Sequence, residues 1–566
     1  MKKYALGLDY GTNSCRSLIV DISDGREVAA GVFPYPSGEQ GVLTDPSDPN
    51  AARQDPGDYI AGLSSVRDAI RMARDADGDF DPARIVGIGV DTTGSTPIPV
   101  DRKGTPLGLL PEFRGRLDAM AWLWKDHTSH AEAAQITETA RRLRPQYLAK
   151  CGGAYSSEWF WSKLLHCRNV APDVFKAAYS FVEHCDYMPA LLAGDTNPDT
   201  LIRGVCAAGH KAMYCEQWGG LPDAEFLGAI HPDLADMRGR LYSKAWPADR
   251  LAGRLSREWA EKLGLPPGIA VAAGAFDAHM GAAGAGIKPG TLVKILGTST
   301  CDMMVWPNNR PLADIPGVCG IVDGSILPGF FGIEAGQSAV GDIFLWFVNH
   351  LVPGEYGRKR DRRFAALARA AARQKPGEHG LVALYWNNGN RTILVDSRLG
   401  GLLLGQTLHT AAHEVYRALI EATAFGALTI IKRIEEYGVA VKEIVNCGGL
   451  ASKNPLLMQI YADVTGRPMK ISRSAQTCAL GAALFGAVAA GKEAGGFASP
   501  AEAQSALCGV RNKVFKPVPE NVAVYAELYE LYRRLHDSFG TAGNAAPLGD
   551  VMKRLIALRE RQRRGE

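Results

Sequence analysis

The sequence predicts an α/β protein of two similar domains that face each other across a cleft. The chain has 566 residues, which is too long for a single hydrophobic core. A strand–turn–strand pattern near the N-terminus returns 286 positions later, and internal repeats of this kind indicate duplicated domains. We therefore expect one domain over residues 1–286 and a second over residues 287–566, which ends in a helical tail.

The repeated unit is a small-residue turn between two apolar segments, which predicts a β-hairpin. One turn reads Gly-Thr-Asn-Ser and the other Gly-Thr-Ser-Thr, and a cysteine follows each. Agreement of strand, turn and strand together favours two related halves over chance. The apolar segments are residues 4–9 and 17–21 in the first copy, and residues 291–296 and 303–306 in the second.

Further elements follow from periodicity. Residues 85–90 form an apolar strand that ends at Asp91. Helical periodicity dominates from about residue 118 to 148 and again over residues 158–168. Glycine and proline cluster over residues 284–290, which is typical of a connection between domains.

The C-terminal region contains two more patterned stretches. The amphipathic stretch 522–539 is expected to pack on its own domain, with a homodimer contact as the alternative. The basic run 553–564 is expected to be a solvated helix end, with contact to an acidic partner as the alternative.

Charge and composition exclude several classes of protein. The formal net charge of +3 and the lack of a broad basic stripe argue against nucleic-acid binding. The 11 cysteines are scattered without a C-x-x-C pair, which is typical of reduced thiols in a cytosolic enzyme. We see no leader-like segment and no apolar run of about 20 residues, so we expect a cytoplasmic protein that does not bind a membrane.

Both turns have the composition of phosphate-binding loops, because such turns expose backbone N–H groups and hydroxyls. Facing each other across a cleft they would hold a polyphosphate from both sides, although a single turn of this type is usually a plain connection. Asp9, before the first turn, is a candidate Mg²⁺ ligand, whereas Ile295 stands at the matching place of the second. The candidate phosphate-binding residues are Gly11, Thr12, Asn13, Gly297, Thr298 and Ser299.

Any nucleotide site must use another scaffold. The sequence has neither a G-x-x-x-x-G-K-[ST] loop nor the H-R-D and D-F-G pair of protein kinases. Residues 445–454 instead suggest a strand, a glycine turn and a helix start. Gly448 and Gly449 would let a flat ligand approach the backbone closely. An ordinary strand-to-helix connection is the alternative.

Asp277 ends an apolar segment, residues 271–276. An acid at a strand end beside glycine-rich backbone is placed to project into a cleft. A helix N-cap is the alternative, because Asp is favoured there. His279 is expected to be a structural partner of this site rather than a second base.

These motifs, in this order, resemble the FGGY carbohydrate kinases over nearly the whole chain. Residues 9–16 resemble the first phosphate motif of that family, and Gly297-Thr298-Ser299 resembles the second. Residues 448–468 resemble the adenosine part of the family's C-terminal signature, and residues 479–483 resemble its end.

Longer strings resemble the subfamily that phosphorylates L-ribulose. Three places differ from the wider family. Gln476 stands where many members have Glu, and Asn390 stands where many have the Glu of a Gly-Glu-Arg loop. Residues 91–95 replace a turn that contains glutamine in relatives. The first two differences fit the subfamily, and roles known from the wider family do not carry over to Gln476 and Asn390. The subfamily strings are residues 155–159, 334–342, 386–391 and 551–555.

The resemblance implies the actin-like ATPase fold, in which two ribonuclease-H-like domains surround a central catalytic cleft. It implies that the N-terminal domain binds the sugar and the C-terminal domain the nucleotide, with ATP and Mg²⁺ as cofactors. Asp277 matches the family's catalytic base, which would take a proton from the sugar's terminal hydroxyl.

The resemblance also implies a sugar pocket and a nucleotide pocket. From the residues alone, Lys211 suggests an exposed lysine, Glu334 a helix-start residue and Trp124 part of a helical core. The implied sugar contacts are Gly94, Trp124, Lys211, Asp277 and Glu334, and the implied nucleotide contacts beyond the two turns are Gly448, Gly449 and Asn454.

The expected activity is ATP-dependent phosphorylation of L-ribulose to L-ribulose 5-phosphate, a step of L-arabinose breakdown. Another family kinase acting on xylulose, ribitol or glycerol is the alternative. An actin-like ATPase without a sugar substrate is a further one. The expected partners are therefore a small sugar and ATP.

Overall fold

The computed structural model describes residues 2–544 and 546–565. Two open sheets dominate it, one in each half of the chain, and each half has its own hydrophobic core. Within the described residues, no helix combines the length and the apolar character that a bilayer crossing requires.

The main sheet of the first half has the order β10-β11-β6-β1-β2-β3, and β12 also pairs with β6. Strands β1, β2 and β3 are antiparallel neighbours, whereas β6 and β11 run parallel to β1. The strands of this half are β1 (Tyr4–Tyr10), β2 (Ser14–Asp21), β3 (Glu27–Pro34), β4 (Leu43–Asp45), β5 (Asp48–Gln54), β6 (Ile85–Thr92), β7 (Pro97–Val100), β8 (Ala121–Trp122), β9 (Ser180–Glu183), β10 (Leu251–Arg254), β11 (Ala270–Ala272) and β12 (Ala275–Phe276).

The sheet of the second half has the order β15-β16-β14-β13-β19-β20. Strands β13, β14 and β16 are antiparallel neighbours, and β19 and β20 run parallel to β13. Both sheets thus place three antiparallel strands beside two parallel ones, which confirms the predicted duplication. The strands are β13 (Thr291–Leu296), β14 (Thr300–Pro307), β15 (Gly320–Asp323), β16 (Phe330–Ala335), β17 (Val382–Leu384), β18 (Leu402–Leu404), β19 (Glu443–Cys447) and β20 (Met469–Ile471).

Helices cover both sheets. In the first half they are α1 (Pro56–Gly62), α2 (Ser64–Ala76), α3 (His130–Leu143), α4 (Pro145–Ala149), α5 (Phe160–Val170), α6 (Pro172–Ala177), α7 (His184–Ala193), α8 (Val205–Lys211), α9 (Ala224–Ile230), α10 (Pro232–Arg238), α11 (Arg257–Leu263) and α12 (Asp277–Gly284). In the second half they are α13 (Gly341–His350), α14 (Arg360–Ala371), α15 (Ala412–Glu436), α16 (Gly449–Lys453), α17 (Pro455–Thr465), α18 (Thr477–Ala490), α19 (Pro500–Leu507), α20 (Pro519–Gly540) and α21 (Val551–Arg564).

Small residues let the two halves approach closely. Helix α18 of the second half packs on β1 and β6 of the first and along α12. A methyl group on Gly7 would collide with the carbonyl oxygen of Ala479, and one on Gly481 would collide with that of Met280. Such close backbone contact requires glycine. It also fixes α12, which begins at Asp277.

The predicted helix over residues 118–148 begins too early. Residues 121–122 form β8, which pairs with β5, and helix α3 begins only at His130. Asp126 is buried, accepts a hydrogen bond from the N–H of Ala52 at 2.7 Å and forms an ion pair with Arg53. These tertiary partners hold the segment as a short strand followed by turns, which helical periodicity alone does not register.

The C-terminal tail is helical, as predicted. Helix α20 buries Tyr525, Leu528 and Leu535. They belong to the hydrophobic core of the second half, so the amphipathic stretch packs on its own domain. Helix α21 carries the basic run and packs through Leu555 and Leu558.

Candidate active site

Three carboxylates meet at the carboxyl ends of neighbouring strands in the first sheet. Asp9 of β1 stands opposite Asp91 of β6 in the parallel register. On the other side of β6, Ala275 stands opposite Asp91, and Asp277 follows two residues later. The carboxyl ends of parallel strands are where open α/β sheets bind their ligands.

Asp91 is fully buried, and neither of its carboxylate oxygens has a hydrogen-bond partner in the described part of the chain. Burial, together with the charges of Asp9 and Asp277, raises the pKa of Asp91 well above its usual range. The pKa of Asp9 is also raised, because burial outweighs the charge of Arg16, whose Nη1 lies 3.5 Å from Oδ2 of Asp9. Buried polar atoms are almost always paired. Because Arg16 pairs with Asp9 and leaves Asp91 without a partner among the described residues, this acid pair suits a further cation.

The acid pair fits a magnesium ion. In nucleotide sites Mg²⁺ takes one or two carboxylates together with phosphate oxygens. Asp9 and Asp91 present two carboxylates next to the first turn. A divalent cation would offset the burial that raises both pKa values and the repulsion from Asp9 that adds to it at Asp91. At the matching place of the second sheet, Ile295 stands opposite Cys447, so no acid pair is available there.

Asp91→Asn is expected to stabilise the metal-free protein by about 1–3 kcal/mol, because it removes a buried, unpaired acid. The sign follows from linkage: a carboxyl group whose pKa rises on folding destabilises the fold at pH values above its unfolded pKa. The variant is also expected to need more Mg²⁺ for activity. Chemical unfolding in Mg²⁺-free buffer at pH 7 measures the first effect, and a variant less stable than wild type would contradict it.

Asp277 is the first residue of α12 and stands half-buried at the cleft. Its Oδ1 accepts a hydrogen bond from the N–H of Ala278 at 2.6 Å. The N-cap position is Phe276, so Asp277 is not the cap. Burial, with the charge of Asp9, raises the pKa of Asp277 to about 7. A carboxylate with this pKa is a stronger base than an ordinary aspartate and still ionises near neutral pH.

A buried ion pair joins the two halves near Asp277. Lys211 ends α8 in the first half, and Glu334 lies on β16 in the second. The Nζ of Lys211 lies 3.1 and 3.2 Å from the two carboxylate oxygens of Glu334, and each side chain is only 7% exposed. Burial opposes both charges, but their attraction raises the pKa of Lys211 and holds that of Glu334 below its usual range. The interpretations of Lys211 as an exposed lysine and of Glu334 as a helix-start residue are therefore both wrong.

Two imidazoles complete the surroundings of Glu334. Nδ1 of His210 lies 3.2 Å and Nε2 of His279 lies 3.8 Å from Oε2 of Glu334. Burial lowers the pKa of His279 to about 4 and that of His210 well below its usual range, so both rings are neutral at pH 7. The possible metal-ligand atoms of His210, His279 and Glu334 lie within 4.8 Å of one another. The ammonium group of Lys211, which pairs with Glu334, disfavours a metal cation there.

Gly94 and Trp124 contact different parts of the site. A methyl group on Gly94 would collide with the ring of Phe276, which lies 5.9 Å from the Nζ of Lys211. Trp124 is half-buried in a loop rather than a helix, and its Nε1 donates to the Oγ1 of Thr12 at 3.0 Å. The helical setting expected for Trp124 is therefore wrong, and its side chain contacts the first turn.

The first turn joins β1 to β2 beside Asp9. Its carbonyl at Thr12 accepts a hydrogen bond from Nε2 of Gln54 at 2.7 Å, and Nδ2 of Asn13 donates to the carbonyl of Gln40 at 2.7 Å. The N–H of Gly11 donates across the turn to the carbonyl of Ser14. These contacts fix the backbone of the turn before any ligand binds.

The second turn joins β13 to β14 and is backed by the N-terminus of α13. Gly297 and Thr298 are exposed. The N–H of Val340 donates to the carbonyl of Thr298 at 2.8 Å, and the N–H of Gly341 donates to that of Gly297 at 3.1 Å. A helix N-terminus carries a partial positive charge, so its position here favours an anion at the turn.

The glycine pair 448–449 lies next to the second turn. Gly448 has a φ of +90°, and a methyl group there would collide with the carbonyl of Leu296. Gly449 opens α16 and faces free space. Asn454 caps α17, since its Oδ1 accepts from the N–H of Leu457 at 3.1 Å. The side-chain oxygen of Asn454 is therefore already used in capping the helix.

Comparison with known proteins identifies the family. The profile of the N-terminal domain of the FGGY family of carbohydrate kinases matches residues 4–284, and that of the C-terminal domain matches residues 292–490. The chain belongs to the FGGY family of carbohydrate kinases. Among its FGGY relatives, a ribulokinase from Geobacillus thermodenitrificans is 44% identical over 99% of this chain and 98% of the relative. Ribulokinases from Shouchella clausii and Mycolicibacterium smegmatis are 43% and 41% identical, over 100% of this chain and 99% and 98% of theirs.

Solved structures of FGGY-type kinases share the fold. A xylulose kinase from Rhodospirillum rubrum superposes with a TM-score of 0.74 at 22% identity, covering 94% of this chain and 98% of that one. A glycerol kinase from Plasmodium falciparum also gives 0.74, at 15% identity and the same coverage. At such identities the likeness concerns the fold alone, and it confirms the two-domain, actin-like ATPase architecture.

The sequence gives little indication that three further residues belong to the site. Asp91 is visible as the acid that ends an apolar strand, but its pairing with Asp9 depends on strand register. Arg391, whose Nη2 donates to the carbonyl of Thr300 beside the second turn, is visible only within the Gly-Asn-Arg loop. His210 is visible only as the neighbour of Lys211. Their roles depend on contacts between residues far apart in the chain.

Proposed function

We propose that this FGGY kinase transfers the γ-phosphoryl group of ATP to the terminal hydroxyl of L-ribulose, giving L-ribulose 5-phosphate and ADP. The observation that carries the proposal is the setting of Asp277, a half-buried base between the acid pair and the Lys211–Glu334 pair. The choice of sugar follows the full-length relatives, which are named ribulokinases at 41–44% identity. The reaction would be a step of L-arabinose breakdown.

In the proposed step the sugar hydroxyl attacks the γ-phosphorus in line, and Asp277 accepts the proton of that hydroxyl. Glu334 accepts and Lys211 donates hydrogen bonds to other sugar hydroxyls, while the backbone of Gly94 and the Trp124 ring line the pocket. Positioning and charge stabilisation supply most of the acceleration in such transfers. Because Glu334 comes from the second half, both domains contribute to the sugar site.

The phosphates of ATP would lie between the two turns, with backbone N–H groups of residues 11–13 and 297–299 as donors. Mg²⁺ held by Asp9 and Asp91 would neutralise part of the phosphate charge. Gly448 and Gly449 would admit the adenosine, and Asn454 would shape that pocket through the helix it caps. The first half would thus bind mainly the sugar and the second mainly the nucleotide.

The pH dependence of the reaction follows from Asp277. Its pKa of about 7 means that the base is lost as pH falls, so kcat/KM for the sugar is expected to decrease below about pH 7. Asp9, Glu334 and Lys211 face this group, and only the first two raise its pKa. Initial rates between pH 5.5 and 8.5, each at saturating ATP, measure the profile. A rate independent of pH over this range would contradict the assignment.

The substrate is tested by a panel of L-ribulose, D-ribulose, D-xylulose, ribitol and glycerol, with sugar-dependent ADP formation as the readout. We expect the highest kcat/KM with L-ribulose. A pocket of buried donors and acceptors discriminates strongly against a sugar that leaves them unpaired, by as much as about 10⁴-fold. A higher kcat/KM with D-xylulose or glycerol would assign another substrate. ATP hydrolysis that no sugar stimulates would favour an ATPase without a sugar substrate.

A further inference from the structure

We propose that Arg391 is a further catalytic residue, whose guanidinium binds the phosphoryl group while it passes from ATP to the sugar. The inference rests on the kinase reaction proposed above. It concerns the loop Gly389-Asn390-Arg391, which follows β17 in the second half.

The Arg391 side chain crosses from its loop to the second phosphate turn. Its Nη2 donates to the carbonyl of Thr300 at 2.6 Å and lies 3.9 Å from the Sγ of Cys301. A methyl group on Gly336 would come within 2.5 Å of the same Nη2. The absence of a side chain at Gly336 therefore makes room for the guanidinium at the end of the sheet.

The residues on either side of Arg391 hold the loop in place. Oδ1 of Asn390 accepts from the N–H of Leu394 at 3.0 Å, and its Nδ2 donates to the hydroxyl of Tyr385 at 3.2 Å. Oγ1 of Thr392 accepts from the N–H of Gly336 at 3.3 Å. Asn390 and Thr392 are buried, so they hold the backbone on both sides of the half-buried Arg391 in place.

In the part of the chain that the structure describes, the guanidinium forms no close ion pair, although its charge is supported from a distance. Burial opposes that charge, but four groups together raise the pKa of Arg391, namely Cys301, Cys319, Glu158 and Glu334. Among the described residues no carboxylate lies within ion-pair distance of Arg391, and its buried Nε has no hydrogen-bond partner. A half-buried guanidinium that forms no ion pair keeps hydrogen-bond donors free for a ligand. Such a group is expected where an anionic ligand completes the site.

The position of Arg391 matches the path of the phosphoryl group. On one side it touches Thr300, which follows the exposed turn Gly297-Thr298-Ser299. On the other side it lies over Gly336, which directly follows β16 and is two residues beyond the sugar-pocket acid Glu334. In phosphoryl transfer the negative charge spreads over three equatorial oxygens, and the planar fork of an arginine matches two of them at once.

The chemical step balances without any further reactant. The sugar oxygen forms a bond to the γ-phosphorus, the bond from that phosphorus to the β,γ-bridging oxygen breaks, and ADP leaves with the electron pair. The hydroxyl proton passes to Asp277. Arg391 exchanges no proton and contributes hydrogen bonds and charge that strengthen as the transfer proceeds.

The test uses the full-length protein with Arg391→Ala and Arg391→Lys, and with Arg398→Gln as the matched control. Arg398 lies seven positions further along the same loop region, its side chain is 91% exposed, and its Nε lies 3.6 Å from Asp396. We expect Arg391→Ala to lower kcat by about 10²–10³-fold with KM for L-ribulose changed less than about threefold. Arg391→Lys is expected to fall between, because it keeps the charge but not the fork, and the control is expected to match wild type.

Added guanidinium chloride in the low millimolar range separates a catalytic from a structural role. In Arg391→Ala it is expected to restore kcat at least about tenfold, with no such gain for wild type. A kcat of Arg391→Ala within about threefold of wild type would overturn the proposal, and so would a folded variant that guanidinium does not rescue. If Arg391→Ala does not fold, the kcat of Arg391→Lys tests the proposal instead. An unchanged kcat in Arg391→Lys would overturn it. A wild-type protein without sugar-dependent ADP formation would remove the proposed function itself, and the inference with it.

Discussion

Replacing Asp277 by asparagine is expected to lower kcat by about 10²–10⁴-fold while the protein still binds sugar. Asparagine has nearly the same shape as aspartate but cannot take the hydroxyl proton. The acidic limb of the pH profile is expected to disappear in the same variant, because the group with the pKa of about 7 is gone. Steady-state rates together with calorimetric titration of L-ribulose measure both parts of the effect.

A matched control is Asp173→Asn, which changes another aspartate in the first turn of a helix. Asp173 is exposed and pairs with Arg116 on the surface. Exposed pairs contribute little, so the control is expected to keep wild-type rates. Near-normal turnover of Asp277→Asn, with the pH profile unchanged, would assign the base to another residue.

Replacing Lys211 by methionine is expected to have the largest effect on stability, about 3–5 kcal/mol of unfolding free energy. The variant leaves Glu334 buried without its cation, at the point where the two halves meet. The sugar would also lose a donor, so KM for L-ribulose is expected to rise strongly. Chemical unfolding at pH 7 and saturation curves with L-ribulose measure the two losses.

Lys262→Met serves as the control for that variant. Lys262 forms an exposed ion pair with Glu258 at 2.6 Å, and its loss is expected to cost less than about 1 kcal/mol. The double variant Lys211→Met/Glu334→Gln is expected to regain part of the stability, because the unpaired charge is removed with its partner. Equal stability of Lys211→Met and wild type would show that the buried pair does not hold the halves together.

The local part of the site could be predicted from the sequence. The two Gly-Thr turns, the hairpins around them and the position of Asp9 depend on residues adjacent in the chain. Asp277 was identifiable as an acid at the end of an apolar strand, and in the structure it follows β12 directly and is also the first residue of α12. The duplication was readable because both copies keep the turn.

The parts that escape prediction depend on distant contacts. Lys211 and Glu334 are 123 positions apart, and the sequence around each residue does not predict that its side chain is buried. Asp91 becomes part of the site only through its register with Asp9 across two parallel strands. The false helix start at residue 118 has the same origin, since Asp126 is held by contacts to residues 52 and 53.

The central claim is that the protein moves the γ-phosphoryl group of ATP onto the terminal oxygen of L-ribulose. Phosphorus NMR of a reaction containing the protein, ATP, Mg²⁺ and L-ribulose tests it directly. We predict loss of the γ-phosphate signal and growth of ADP with one new phosphomonoester, whose phosphorus couples to the protons on carbon 5 of the sugar. Formation of ADP with inorganic phosphate alone, or of a phosphomonoester at another carbon, would contradict the account.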